Sequence, residues 1–100
     1  MKLYIDTSDR AKIVIGINEK RFNAIAKEKS SQKILPFIDE VLKKNKLSTS
    51  DIKEIEVNTG PGSFTGLRIG VAIANTLGWS LGVPVNGKKV LEQPIDITYS

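Results

Sequence analysis

The segment from Thr65 to Leu81 constrains the fold most, because its apolar residues leave almost no polar face on a helical wheel. Leucine, isoleucine, valine, alanine and tryptophan side chains spread around its circumference, while Arg68 and Asn75 share one narrow edge. A helix that is apolar all round is normally buried all round. A sheet can cover only one side of such a helix, so we expect the other side to meet something else.

A stripe of small residues follows one face of this predicted helix. Gly66, Gly70, Ala74 and Gly78 recur at every fourth position. Each mid-helix glycine costs up to about 1 kcal/mol relative to alanine, which indicates that close contact is required somewhere. Two interpretations stay open. The stripe either lets a partner's backbone approach or seats the helix on this chain's own sheet.

Short β-type runs account for most of the remaining apolar residues. Residues 3–6, 12–18 and 21–28 alternate or are rich in β-branched side chains, and tight turns join them. This succession predicts an antiparallel meander of three strands. Residues 52–59 predict a fourth strand, and Val83-Pro84-Val85 predicts a short fifth.

A first helix is predicted between the third and fourth strands. Ser30 and Ser31 offer an N-cap, and six apolar residues between Ile34 and Leu42 fall within an arc of about 160°. Right-handed crossovers through the two main helices then predict a five-stranded mixed sheet in the order 3-2-1-4-5. This α/β layout is that of a ribonuclease-H-like or actin-like ATPase lobe. We expect residues 1–86 to form this single lobe and residues 87–100 to be an extended or disordered tail.

The composition argues for binding rather than catalysis. The 100 residues include no cysteine and no histidine. Disulfides, cysteine nucleophiles, Ser-His-Asp chemistry and the usual zinc ligands are therefore excluded. We predict no catalytic residues, no metal site and no cofactor.

Charge and hydropathy place the chain in an aqueous compartment. The net charge is +4, and the lysines are scattered, which is typical of a solvated surface rather than of a dedicated nucleic-acid patch. The N-terminus reaches charged residues too early for a signal peptide, and the apolar stretch from Leu67 to Val85 is interrupted by Arg68 and Asn75. We expect a cytoplasmic protein with no membrane contact.

A glycine-rich loop at residues 60–66 joins the fourth strand to the second helix. Phosphates often bind at such a position, but no lysine follows the glycines and the spacing of G-x-G-x-x-G is absent. We therefore interpret the loop as a rigid turn. Ser63 or Thr65 would cap the helix, and Phe64 would pack.

Two enzymatic alternatives share this predicted fold. A ribonuclease-H-like nuclease needs several carboxylates around two cations. Asp6 and either Asp39 or Glu40 could contribute, but the fourth strand ends in Asn58-Thr59, where a carboxylate is required. An actin-like ATPase needs a glycine-bearing phosphate turn after the first strand, where this chain has Asp6-Thr7-Ser8. Self-association of the domain through its helices is a third alternative.

The loop also carries a resemblance to a known family. The run Gly60-Pro61-Gly62-Ser63-Phe64-Thr65-Gly66-Leu67-Arg68-Ile69-Gly70 resembles the signature of the TsaB/YeaZ family. Asp6-Thr7-Ser8 is similar to that family's opening, residues 34–42 to its first helix, and residues 81–85 to the exit from its second helix. Ser31-Gln32 replaces a histidine common in the family, so no role is assigned there, and the family's second lobe has no counterpart here.

The resemblance implies a non-catalytic accessory subunit of the machinery that makes threonylcarbamoyladenosine in tRNA. Its partner would be a TsaD-like catalytic subunit, with a TsaE-like ATPase as a further subunit, a homodimer in isolation, and tRNA reached only through the complex. Pairing would use the two helices of the lobe. The predicted interface comprises Leu35, Phe37, Ile38, Val41, Gly66, Gly70, Ile73, Ala74 and Leu77.

Overall fold

The computed structural model describes residues 1–26 and 30–89. Each segment with strand or helix periodicity forms the element that its pattern predicts, apart from the fifth strand. The elements are β1 (Lys2–Asp6), β2 (Lys12–Ile17), β3 (Lys20–Ile25), α1 (Ser31–Lys44), a 3-10 turn (Thr49–Asp51), β4 (Glu54–Val57) and α2 (Phe64–Leu81).

Within the described residues the strands form one mixed sheet in the order β3-β2-β1-β4. β2 pairs antiparallel with both β1 and β3, which confirms the predicted meander. β4 lies parallel to β1, with Leu3 opposite Ile55 and Ile5 opposite Val57, as a crossover through α1 requires.

Alternation along the strands sends one set of side chains to a buried face, where both helices pack. The core combines apolar residues of the strands with those of the helices and of the segments that flank β4: Leu3, Ile5, Ile13, Ile15, Ile17, Ile34, Ile38, Val41, Leu42, Ile52, Ile55, Val57, Leu67, Val71, Ile73, Ala74 and Val85. Pro36 lies inside α1, beyond its first turn.

The opposite face of the sheet carries several charged side chains, and two of its cations have partners on it. The Lys2 Nζ lies 3.0 Å from Glu56 Oε1, and the Arg21 guanidinium lies 4.3 Å from the centroid of the Tyr4 ring. None of the helices in the described residues packs on this face. An antiparallel region of a sheet commonly has one solvated face of this kind.

The prediction of a five-stranded sheet is wrong for the described residues. Val85 alone makes a parallel bridge to Ile55, so residues 83–85 do not form a strand. Pro84 has no N–H to donate, and Asn86 has a positive φ of 51°, which ends the extended conformation. The predicted tail lies outside the described residues from position 90 onward.

Among the residues that the structure describes, no helix has the length and hydropathy needed to cross a membrane.

Candidate functional site

The glycine-rich loop is anchored on the turn after β1. The Ser63 N–H donates a hydrogen bond of 2.8 Å to the Ser8 carbonyl. Gly62 approaches so closely that an added Cβ would lie 2.5 Å from Ser8 Cβ, so no side chain fits there. Gly60 has a φ of 129°, a conformation that favours glycine. The loop is therefore a turn, as the sequence predicts, and the structure adds that it is held by close contact with Ser8.

At the start of α2, one prediction made from the sequence is confirmed and another is wrong. Ser63 is the N-cap, and its Oγ accepts a hydrogen bond of 3.5 Å from the Gly66 N–H, as predicted. The prediction that Phe64 packs is wrong, because its side chain is 47% exposed. The Arg68 guanidinium lies 5.5 Å from the centroid of the Phe64 ring. Thr65 is exposed and is not the cap.

Asp6 is the centre of a hydrogen-bond cluster beside this loop. Its Oδ1 accepts bonds from the Ser8 N–H at 2.9 Å, the Ser8 hydroxyl at 2.6 Å and the Asn58 amide at 3.2 Å, and its Oδ2 accepts one from the Tyr4 hydroxyl at 3.2 Å. Burial acts to raise the pKa of Asp6, but the bonds from Ser8, Asn58 and Tyr4 outweigh it and leave that pKa below its usual value. The carboxylate thus ties the ends of β1 and β4 together.

The other two carboxylates considered for a nuclease site are paired with lysines of their own helix. Asp39 and Glu40 lie on α1 in ion pairs of 2.9 Å with Lys43 and Lys44. Within residues 1–26 and 30–89, no three histidine, cysteine or acidic side chains lie close enough together to hold a metal ion.

Replacing Asp6 with asparagine is expected to lower the free energy of unfolding at neutral pH by about 1–3 kcal/mol, because an amide cannot accept on both of its terminal atoms. The folded-state pKa is lowered, so the contribution of Asp6 is fully present above the unfolded pKa of roughly 4 and is lost as the pH falls through the folded value. Urea titrations between neutral and acidic pH should show a shallower acid loss for Asp6→Asn than for the natural chain. Equal pH slopes would contradict this role.

The small-residue stripe of α2 faces this chain's own sheet. Gly66, Gly70, Ala74 and Gly78 are all buried. The Thr7 hydroxyl donates a bond of 2.5 Å to the Gly66 carbonyl, and a Cβ at Gly70 would collide with Thr7 Oγ1. Of the two interpretations of the stripe, the structure favours internal seating. Gly66, Gly70 and Ala74 are therefore not available on the surface of the folded chain.

The other predicted interface residues divide between core and surface. Ile38, Val41 and Ile73 are 4%, 3% and 6% exposed and belong to the core. Leu35 is 43% exposed, while Phe37 and Leu77 are partly buried.

A groove between α1 and α2, with a volume of about 420 Å³, joins several of these surface positions to residues that the sequence analysis missed. It is lined by Leu35, Ala72, Ile73, Thr76, Leu77 and Ser80. Ala72, Thr76 and Ser80 are spaced by four residues, so a second row of small residues was the available signal. Trp79, which is 62% exposed, lies on the same helix.

Comparison with known proteins gives consistent matches. A family model described as TsaD, tRNA N6-adenosine threonylcarbamoyltransferase, matches residues 23–93. The tRNA threonylcarbamoyladenosine biosynthesis protein TsaB of Bacillus subtilis strain 168 is 34% identical over 94 residues, which are 90% of this chain and 41% of that protein. The TsaB protein of Escherichia coli K12 is 36% identical over 92 residues, which are 89% of this chain and 40% of that protein.

A solved structure is similar to this chain in fold. The crystal structure of an uncharacterized Pseudomonas aeruginosa protein, described as similar to the peptidase YeaZ, matches with a TM-score of 0.72 and 26% identity, over 84% of this chain and 40% of that one. This chain therefore spans about two fifths of the length of these relatives. The chain belongs to the family that the TsaD model describes and to the TsaB/YeaZ proteins, with the actin-like α/β fold that its YeaZ neighbour shares.

Proposed function

We propose that the chain is a non-catalytic accessory subunit in threonylcarbamoyladenosine biosynthesis. It pairs with a TsaD-type transferase that modifies the adenosine next to the tRNA anticodon, and tRNA is reached through this complex in the cytoplasm. The observation that carries the proposal is the apolar groove between α1 and α2. The names of the TsaB relatives and the TsaD family model support the assignment to this pathway.

The groove has the composition of a protein interface. Its floor and walls are mostly aliphatic, and the Thr76 hydroxyl is turned back to donate to the Ala72 carbonyl at 2.9 Å. The ion pairs from Asp39 to Lys43 and from Glu40 to Lys44 lie on the exposed face of α1. An apolar centre with charged residues nearby is typical of protein–protein contacts.

Exposure of this surface has an energetic consequence. Leu35 is 43% and Trp79 is 62% exposed in the free chain, and covering apolar surface is worth about 25 cal/mol per Å². A partner that covers both α-helices gains this energy, less the cost of ordering the side chains at the interface. We therefore place the TsaD-type contact on Leu35, Phe37, Leu77 and the groove, and we remove Gly66, Gly70 and Ala74 from the interface.

The Asp6 cluster supports the non-catalytic part of the proposal. Four bonds from three residues of this chain engage the Asp6 carboxylate. Oδ1 accepts three of these bonds and Oδ2 accepts one, so most of the acceptor capacity of the carboxylate is used by this chain's own groups. A general base or metal ligand, by contrast, must direct a lone pair at substrate or metal. The chain also lacks histidine and cysteine.

The same groove accommodates a second copy of the chain in isolation, because a two-fold contact places one apolar patch against its equivalent. We expect this homodimer to give way to the TsaD-type pair, since both assemblies use the helix face. A TsaE-type ATPase would join the pair as a further subunit.

The proposal is tested by a threonylcarbamoylation assay on tRNA with a TsaD-type enzyme, in the presence and absence of this chain. We expect no modification by the chain alone and a faster reaction when it is added to the enzyme. Asp6→Asn, assayed at a temperature where circular dichroism shows it folded, should stimulate the enzyme as well as the natural chain does. Loss of stimulation in a folded variant that still binds the enzyme would contradict a non-catalytic role.

A further inference from the structure

A tight hairpin follows the bridge between β4 and Val85. The Val85 N–H donates to the Lys88 carbonyl at 2.9 Å, and the Lys88 N–H donates to the Val85 carbonyl at 3.0 Å. The central residues Asn86 and Gly87 have φ values of 51° and 78°, the positive values of a type I′ turn. Asn-Gly is the dipeptide that this turn prefers.

The side chain of Asn86 also forms hydrogen bonds with the backbone of β4. Its Oδ1 accepts a bond of 2.8 Å from the Val57 N–H, and its Nδ2 donates one of 3.1 Å to the Val57 carbonyl. The Asn86 amide thus imitates a strand neighbour and satisfies both backbone groups of Val57 at the edge of the sheet. Its backbone N–H also donates to the Ile55 carbonyl at 2.8 Å.

The Asn-Gly pair carries a chemical liability. The backbone nitrogen of the residue after an asparagine can attack the side-chain carbonyl, and glycine hinders this attack least because it has no Cβ. Asn86 is the one asparagine of the sequence that precedes glycine. The other asparagines precede Glu19, Ala24, Lys46, Thr59 and Thr76.

We propose that Asn86 is a site of spontaneous deamidation that is protected while its amide pairs with Val57 and that, once converted, releases the hairpin at residues 85–88 from the edge of the sheet. Protection has a geometric cause. Attack on Cγ requires the side chain to leave its place, and both of its polar atoms are held there by Val57. The reaction therefore follows local opening of this edge.

The steps balance without an oxidant or a cofactor. The Gly87 nitrogen forms a bond to Asn86 Cγ, the bond from Cγ to Nδ2 breaks, and ammonia leaves with the proton from the Gly87 nitrogen. Water then opens the cyclic imide at one of its two carbonyls and yields aspartate or isoaspartate. One water molecule is consumed and one ammonia is released.

The product cannot restore the original contacts. An aspartate carboxylate has no hydrogen to donate to the Val57 carbonyl and places negative charge beside it. Isoaspartate also lengthens the backbone by one carbon atom and shifts the hairpin out of register. Both products therefore remove the bond that the Asn86 Nδ2 makes with Val57.

The test incubates the full chain at mildly alkaline pH, with and without a denaturing urea concentration, and follows each asparagine by peptide mass spectrometry. We expect conversion at Asn86 ahead of the other asparagines, and slower in the folded chain by on the order of tenfold or more. Gly87→Asn keeps a residue that tolerates positive φ but hinders the attack, so it should react more slowly in urea.

A second measurement separates the structural consequence from the chemistry. Asn86→Asp, the direct product, should melt about 4–8 °C below the natural chain, the shift that a loss of about 1 kcal/mol from one partly buried hydrogen bond produces in a small domain. Asn86→Gly, which retains the turn but not the amide, should show a comparable loss. Equal conversion rates in folded and unfolded chains, preferred conversion at another asparagine, or an unchanged melting temperature for Asn86→Asp would each overturn the proposal.

Discussion

Replacing Gly70 with alanine is expected to destabilise the fold by about 1–3 kcal/mol, the usual cost of forcing an extra methyl group into a packed site. The new Cβ would collide with Oγ1 of Thr7, a residue with no exposed surface. In an open helix the same change would stabilise by up to about 1 kcal/mol, because alanine is the better helix former. The sign of the effect in urea unfolding therefore reports whether the stripe of α2 lies against β1 and its turn.

A double-mutant cycle identifies the contact. Thr7→Ala removes the colliding atoms together with the hydroxyl that donates to Gly66, so it should destabilise by itself. Gly70→Ala should cost much less in that background, because the methyl group then has room. Ala72→Gly, at an exposed position of the same helix, measures the difference in helix propensity between alanine and glycine where there is no contact with Thr7. Additive costs in the cycle would contradict direct packing of Gly70 on Thr7.

Placing a charge in the groove is expected to weaken pairing with the TsaD-type subunit at least about thirtyfold. Ala72 is exposed and lines the groove, so Ala72→Glu should leave the free energy of unfolding within about 0.5 kcal/mol of the natural value. At the centre of an interface, an unpaired buried carboxylate costs about 2 kcal/mol or more, which is at least about thirtyfold in Kd. Isothermal titration or a pull-down with the partner measures this loss.

The matched control carries the same added charge elsewhere. Thr49→Glu changes an exposed residue in the 3-10 turn, which does not line the groove, and should bind the partner as the natural chain does. Full binding by Ala72→Glu, or equal losses in both variants, would remove the groove from the interface.

The order of the elements can be predicted from the sequence because the spacing of the apolar residues changes sharply from strand alternation to helical spacing. Alternation in β1 to β3 and the helical spacing after Ser30 are local signals. The connections through the two helices are then expected to be right-handed crossovers. Ser63 and Gly82 end up as the N-cap and C-cap of α2, as their residue types predict. Asp6 bonds the turn after β1 because a short carboxylate reaches the backbone two residues on.

The predictions that failed depend on tertiary contacts, which a helical wheel or a strand pattern does not show. The stripe of α2 fits either a partner or the sheet until the position of Thr7 is known. Phe64 is apolar, but its place before the first buried turn leaves it beside Arg68 at the surface. Val83 and Val85 favour a strand, but Pro84 and the Asn86-Gly87 turn end the extended conformation early.

The groove could not be predicted from α2 alone. Ala72, Thr76 and Ser80 are small or polar, and they line an apolar depression because Ile73 and Leu77 of α2 and Leu35 of α1 lie beside them. The predicted interface shares Leu35, Ile73 and Leu77 with the lining of this groove, whereas Ala72, Thr76 and Ser80 were not predicted.

The most direct test of the central proposal is the mass of the complex. Size-exclusion chromatography with light scattering should be run on this chain, on a cognate TsaD-type subunit and on their mixture. The proposal predicts a one-to-one complex that forms at the expense of any homodimer and that Ala72→Glu disrupts. Co-elution of a folded chain as a monomer or homodimer beside a folded TsaD-type subunit, with no complex at micromolar concentrations, would contradict the proposed pairing.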